Sequence, residues 1–322
     1  MKLGKAPFIK WTGSKRPQAK YIVDQFPKHI DTYYEPFLGG GSVMHEVMNR
    51  CVKGEMRVNK FICSDLNKDL ISIWNLFKDP LTRQALYDYY CGHYNELYRR
   101  ADVKEGETYS KKHTKNCQGY YYEERERFNE MDYDNLERPM LFYWLMRTAF
   151  NGLIRYSKTG KFNTPFHVAG RCGITPDELK QVFIAWGNCV DNVNVEFVND
   201  SYENVIRTAK PGAMIYLDPP YERQKGMYFA SKFDGNKMYQ VLEEMSLNGV
   251  YWALSYDGYS GDNNMTVDIP EDLYVSHQYV KSGHSSFKKL NSAKFGHNKD
   301  IVMDSLYLNY DPDKVNPVEK LF

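Results

Sequence analysis

Residues Tyr33-Tyr34-Glu35-Pro36-Phe37-Leu38-Gly39-Gly40-Gly41-Ser42 read as a strand that runs into a glycine-rich turn and then into a helix. Glycines let a backbone bend sharply and come close to a ligand, and the start of a helix offers backbone N–H groups. An ordinary tight strand-to-helix turn explains the same residues, and a glycine cluster alone decides little. The run lacks the lysine of a GxxxxGK[ST] loop, which disfavours a P-loop. One strand further on, Phe61-Ile62-Cys63-Ser64-Asp65 ends in an acid. Its distance from the glycines suits a carboxylate accepting from the two hydroxyls of a ribose. It equally suits the N-cap of the following helix.

Outward from this unit, the apolar periodicity alternates strands with helices at both ends of the chain. Candidate strands are 33–37, 60–65, 194–200, 213–217, 250–256, 274–280 and 301–309, and candidate helices include 14–26, 41–50, 67–77, 175–190, 202–209 and 235–248. From about Leu81 to Val190 the signals are mostly helical (81–99 and 137–150), with a charged stretch from Tyr120 to Glu137. Residues 151–166 place Lys158-Thr159-Gly160 between two short β-capable pieces, which reads as a hairpin. The expected architecture is a parallel α/β sheet interrupted by a helical insertion that carries a hairpin. In domain terms, residues 1–80 and 191–322 form the sheet domain and 81–190 the insertion.

Composition narrows the functional classes. The chain has 322 residues, 42% apolar and 26% charged, ordinary for a globular protein and large enough for a sizeable core. No stretch approaches the roughly 18 apolar residues of a membrane span. Met1-Lys2-Leu3-Gly4-Lys5 lacks the apolar centre of a secretory signal, so the chain is expected to be cytoplasmic, or nucleoid-associated if it works on DNA. The six cysteines, at 51, 63, 91, 117, 172 and 189, have neither metal-ligand nor CxxC spacing. A zinc framework or disulfide scaffold is therefore not expected, and no metal is assigned. Net charge is +1, from 42 basic and 41 acidic residues, so any affinity for nucleic acid has to come from local patches. Tyrosine supplies 27 residues; such rings can stack on bases, although half-buried structural positions are their ordinary use.

A third patch is more specific. Ala213-Met214-Ile215-Tyr216-Leu217 is a strongly apolar strand that ends in Asp218-Pro219-Pro220-Tyr221. Two prolines cannot continue a central ladder. They lock φ and leave carbonyls with no competing N–H groups. The product is a rigid loop presenting a carboxylate, a carbonyl and a ring, suited to a planar group that bears an amino substituent.

These motifs together resemble the adenine-specific DNA methylases of the Dam type. Phe8-Ile9-Lys10-Trp11-Thr12-Gly13-Ser14-Lys15 resembles the opening FxKWxGxK motif, Glu35 to Ser42 the EPFxGxGS loop, Asp65 the second cofactor acid and Asp218 to Tyr221 the DPPY motif. Asn151-Gly152-Leu153-Ile154-Arg155-Tyr156 and Gly160-Lys161-Phe162-Asn163-Thr164-Pro165-Phe166 resemble the DNA-recognition hairpin. DPPY alone is shared with N4-cytosine and RNA methylases; the hairpin match favours DNA adenine. The resemblance implies a Rossmann-like S-adenosylmethionine-dependent methyltransferase sheet with an inserted recognition domain.

It also implies roles. S-adenosylmethionine is the methyl donor and S-adenosylhomocysteine the product. Asp218, Pro219, Pro220 and Tyr221 act on a flipped adenine, whose N6 amine is methylated within GATC in double-stranded DNA. Trp11, Lys15, Glu35, Pro36, Phe37, Gly39, Gly41, Ser42, Asp65, Asp200 and Asp218 surround the cofactor; an N-cap explains Asp200 equally well. Lys10, Phe150, Asn151, Leu153, Arg155 and Pro165 meet DNA. Lys281, Lys288 and Lys289 belong to an acid-free stretch, 273–299, that reads as a phosphate-contacting patch or a solvated loop. A monomer is expected, and association with a restriction system is left open. Two departures stand out: a long, tyrosine-rich insertion from Cys91 to Glu137, and Ser255-Tyr256 where the pattern has serine-asparagine. Competing readings are an N4-cytosine or RNA methylase, and a DNA-binding descendant without activity. The intact Asp218, Asp65 and glycine loop speak against the last.

Overall fold

The structure, a computed structural model, describes residues 6–104, 106–167, 173–220, 233–260, 263–284 and 301–316. In chain order the elements are α1 (Ala19–Asp24), β1 (His29–Glu35), α2 (Ser42–Val52), β2 (Arg57–Ser64), α3 (Lys68–Lys78), α4 (Pro80–Ala101), α5 (Lys111–Glu130), α6 (Arg138–Thr148) and α7 (Pro176–Asp191). There follow β3 (Val195–Val198), α8 (Tyr202–Ile206), β4 (Met214–Leu217), α9 (Gly235–Leu247), β5 (Tyr251–Ser260), β6 (Asn263–Asn264), β7 (Ser276–His284), β8 (Ile301–Leu308) and α10 (Pro312–Val315). They divide into two compact units. Among the described residues, the first holds the chain up to Ser14 together with Asn67–Asn192, and the second holds the rest.

The second unit is built on one sheet in the order β3-β2-β1-β4-β5-β8-β7, with β6 paired to β5. Strands β1 to β5 run parallel to one another. The last strand, β8, lies antiparallel between β5 and β7, a reversal that the apolar pattern does not announce. Every residue of β4 is buried, as a central strand covered on both faces requires. Ile215, Leu217, Trp252 and Leu254 pack with Met238, Val241, Leu242 and Met245 from α9. Each such side chain contributes roughly 1.5–3 kcal/mol by leaving water. The strand order turns back between β1 and β4, so the crevice beyond their carboxyl ends is a topological switch point, the usual ligand position in an open α/β sheet.

The first unit is helical. Its termini are capped by local chemistry: the Asn67 side chain accepts from the Leu70 amide at the start of α3, and Thr175 and Glu178 form a capping box with Pro176 in the first turn of α7. Phe8 is fully buried, with its ring centroid 4.0 Å from Phe77, 5.1 Å from Trp74 and 5.2 Å from Tyr143. The Phe8 carbonyl accepts from Tyr143 Oη (3.1 Å) and Arg147 Nη2 (2.6 Å). Helix α5 occupies part of the insertion that the sequence shows only as charged and tyrosine-rich. The hairpin at 151–166 is present as two antiparallel bridges, Ala149 with Phe166 and Tyr156 with Phe162. Arg138, almost fully buried, binds both Asp69 oxygens at 2.7 and 3.1 Å, and Tyr156 Oη donates to the same carboxylate at 3.2 Å. Among the described residues no helix is long and apolar enough to cross a membrane.

Candidate active site and recognition hairpin

In the sheet unit, the carboxyl ends of the strands carry the acids that the sequence singles out. Glu35 closes β1, Asp65 follows β2, Asp200 lies just past β3, and Asp218 follows β4. Gly41, the residue before α2, has φ 60° and ψ 30°, a left-handed conformation that glycine adopts without strain. Having no side chain, Gly41 cannot cap the helix. The Glu35 carboxylate accepts from Tyr33 Oη at 2.6 Å, and the Met44 amide in the first turn of α2 favours its charged form.

Burial raises the Glu35 pKa to about 8, and the negative charge of Asp218 adds to the effect, while the bonds from Tyr33 and Met44 oppose it. A carboxyl with its pKa raised on folding holds a proton that the unfolded chain has already lost. Stability is therefore full below the ordinary value of 4.5 and declines as pH climbs to about 8. Glu35→Gln, neutral at every pH, is expected to flatten that decline, by about 1.4 kcal/mol for each unit of raised pKa. Urea denaturation at pH 5, 7 and 9 checks it: a difference between variant and wild type that does not move with pH contradicts the assignment.

Asp65 is not a helix cap, since Asn67 fills that role. Its Oδ2 accepts from the Gly39 amide at 3.0 Å, and its own carbonyl accepts from Asn199 Nδ2 at 2.9 Å. The acid thus braces the glycine turn. Asp200 is not the cap of α8 either, because Ser201 accepts from the Asn204 amide. Asp200 Oδ1 accepts from the Ser201 amide at 2.7 Å and from Asn204 Nδ2 at 2.9 Å. Phe37 stacks on Tyr202, centroids 5.3 Å apart. The Tyr202 hydroxyl is buried with no hydrogen-bond partner among the described residues. Pro36 is buried, and Ser42 opens α2.

Asp218 does not stand alone. Lys15 Nζ lies 2.9 Å from Asp218 Oδ1 and 3.4 Å from Asp304 Oδ2, and Gln18 Nε2 donates to that same Asp304 oxygen at 2.9 Å. Burial alone would lower the Lys15 pKa, but the Asp218 carboxylate, then Tyr216 and Asp304, lift it above the ordinary lysine value. Lys15 is therefore a cation throughout the neutral range. Sequence reasoning placed Lys15 but missed Asp304 and Gln18, which have no motif around them. Pro219 and Pro220 follow Asp218 directly; Tyr221 lies outside the described residues. At the departure from the family pattern, Ser255 and Tyr256 fall inside β5. Ser255 Oγ pairs with Tyr216 Oη at 2.8 Å, and Tyr256 is part of the apolar core.

In the helical unit, the opening motif and the hairpin come together. Gly152, at φ +67°, sits under the Lys10 chain; a Cβ there would lie 2.6–2.7 Å from Lys10 Cγ, Cδ and Cε. Only glycine admits the lysine in this position. Asn151 is exposed and also left-handed, at φ 52°. Arg155 is exposed on the hairpin, Leu153 and Phe150 are half-buried, and the Pro165 carbonyl accepts from the Phe150 amide at 2.8 Å. Trp11 is half-buried in this unit. Lys281 is exposed on β7 of the sheet unit, whereas Lys288 and Lys289 lie outside the described residues.

The buried Tyr202 hydroxyl beside Phe37, the braced glycine turn and the acids at the switch point fit a nucleoside-bearing cofactor such as S-adenosylmethionine. Comparison with known proteins agrees. The chain is 27% identical to the type II methyltransferase M.MjaIII of Methanocaldococcus jannaschii over 320 residues, 94% of this chain and 99% of that protein. It is 30% identical to the DNA adenine methylase of Serratia marcescens over 256 residues, 78% of this chain and 79% of that protein. With the DNA adenine methylase of Escherichia coli K12 it shares 32% over 217 residues, 66% of this chain and 64% of that protein, just under two thirds of the relative's length. A family model described as D12 class N6 adenine-specific DNA methyltransferase matches residues 11–285. This chain belongs to that family and is an adenine-specific DNA methyltransferase.

Proposed function

We propose that the protein methylates the N6 amine of adenine within GATC in double-stranded DNA, acting on a base turned out of the helix. The observation that carries the chemistry is Asp218, followed by two prolines, at the end of β4 beside the switch point. When bound, S-adenosylmethionine supplies a methyl group that its sulfonium makes electrophilic. Lys15, Glu35, Pro36, Phe37, Gly39, Gly41, Ser42, Asp65 and Asp200 hold it in the sheet unit; the family motifs imply Trp11 as well. The acceptor is the harder partner, because the adenine amino lone pair is delocalised into the ring. Asp218 and the Pro219 carbonyl each accept one N–H of that amine, which directs the lone pair toward the methyl group and stabilises positive charge developing on nitrogen. Pro220 contributes no N–H that competes for those acceptors. Tyr221 stacks on the extruded base, worth about 1–3 kcal/mol.

Asp218 Oδ1 is engaged by Lys15 at 2.9 Å, and a carboxylate has further lone pairs with which to accept an amine N–H at the same time. Asp304, 3.4 Å from the same ammonium, gives the lysine a second partner. Lys10, Phe150, Asn151, Leu153, Arg155 and Pro165 meet the DNA, and Lys281, Lys288 and Lys289 meet phosphates. Arg155 pairs with guanine in the major groove. A palindromic site lets a monomer treat each strand in turn.

Mapping modified bases on random-sequence duplex DNA tests the whole reading. N6-methyladenine centred in GATC is the expected product. N4-methylcytosine would overturn the target base, and adenine methylation without GATC enrichment would overturn the site alone. Arg155→Ala is expected to relax choice at one base pair and to cost about 1–3 kcal/mol there. An equal loss on all sequences would make Arg155 a phosphate contact instead.

A further inference from the structure

We infer that Asn163 is a specificity-determining positioning residue: it clamps one edge of the Arg155 guanidinium and so presents the other to a base. The inference rests on the reading of Arg155 as a base contact.

Three hydrogen bonds join these two residues across the hairpin. Arg155 Nε donates to Asn163 Oδ1 at 2.7 Å, and Arg155 Nη2 donates to the Asn163 carbonyl at 3.0 Å. The Asn163 amide donates back to the Arg155 carbonyl at 2.9 Å. The next residue extends the brace: the Arg155 amide donates to Thr164 Oγ1 at 3.1 Å, and that hydroxyl donates to the Leu153 carbonyl at 3.0 Å.

A guanidinium is a rigid planar fork with five N–H donors. It grips a two-acceptor target either side-on, through Nε and Nη2, or end-on, through Nη1 and Nη2. Asn163 consumes the side-on edge. The end-on pair is what the exposed Arg155 offers to guanine O6 and N7.

The clamp matters for discrimination more than for affinity. A freely swinging arginine satisfies any nearby acceptor, phosphate oxygens included. A guanidinium fixed in plane and direction meets two acceptors on guanine, but one acceptor and one donor on adenine. Fixing the fork turns a general cation into a reader. Asn163 does this without itself having to touch DNA.

The test compares wild type, Arg155→Ala, Asn163→Ala and Asn163→Asp as full chains. Modified sites are mapped on random duplex DNA, and kcat/KM is measured on the best site and on each single-base-pair variant of it. Arg155→Ala identifies the base pair that Arg155 reads. Asn163→Ala is expected to lower discrimination at that same base pair about 3–10-fold, the size of a lost hydrogen bond, with little change at the others. Asn163→Asp, whose carboxylate still accepts from Nε, is expected to keep it. Thermal melts establish folding, and Asn163→Ser, too short to reach Nε, replaces the alanine variant if that one melts early. Two results overturn the inference while leaving the Arg155 reading intact: unchanged discrimination in Asn163→Ala, or a loss equal on all sequences, which would mark Asn163 as a phosphate contact. If Arg155→Ala itself leaves discrimination intact, the base-reading role fails and the inference falls with it.

Discussion

Asp218→Ala is expected to slow methyl transfer roughly 10²–10³-fold, the cost of removing one oriented partner of developing charge, about 2.7–4 kcal/mol of barrier. DNA binding should largely survive, because the role proposed for Asp218 is on the reacting amine and not on phosphates. The fold should survive as well. Lys15 loses a partner at 2.9 Å but keeps Asp304 at 3.4 Å, so no buried cation is left alone. Single-turnover rates with saturating DNA and cofactor, alongside a gel-shift titration, separate the two effects. Turnover near that of wild type would remove Asp218 from the mechanism, and loss of DNA binding in parallel with rate would make its role structural.

Asp69→Ala should act in the opposite sense, on stability first. Arg138 makes two bonds to this carboxylate, at 2.7 and 3.1 Å, and lies almost fully out of water. Removing one member of a buried pair strands the other, at a cost of about 3–5 kcal/mol. The Phe128 and Met131 carbonyls still accept from Arg138 Nη1, but they do not neutralise its charge. The hairpin suffers too, since Tyr156 Oη donates to Asp69. A urea melt followed by tryptophan fluorescence reports the loss, because Trp74, Trp144 and Trp186 lie in this unit. A change below about 1 kcal/mol would mean that the pair contributes no more than a surface ion pair.

The parts of the site that were legible in the sequence are those whose chemistry is local. Glu35 to Ser42 and Asp218 to Pro220 carry their conformation in glycines and prolines, residues with narrow backbone meanings. Asp65 was visible as a strand-end acid, although only the Asn67 cap and the Gly39 bond separate its two readings. Asp304 was invisible for a physical reason. It comes to Lys15 through an antiparallel strand at the far end of the chain, and its bond to Gln18 spans 286 positions. Helix α5 was missed because its buried side chains are His113, Thr114, Cys117, Tyr120, Tyr121 and Phe128. The spacing is helical, but most of these residues do not read as an apolar stripe. The reversal of β8 is likewise set by strand pairing, which no local pattern encodes.

The hairpin alternates an anchor with an exposed side chain: Tyr156 is tied inward to Asp69, and Arg155, one residue before it and the base contact proposed above, is exposed. Neighbouring residues of an extended strand point to opposite sides, so a slip of one position would bury the arginine and expel the tyrosine. With Leu153, Arg155 and Pro165 in their proposed DNA-contacting roles, this limits how the target site could change. Exchanges of side chain at 153, 155 or 165 would leave the anchor in place. An insertion or deletion between the Tyr156–Phe162 and Ala149–Phe166 bridges would forfeit the anchor and the placement of Arg155 together, so under the proposed role of Arg155 the hairpin tolerates new side chains more readily than a new length.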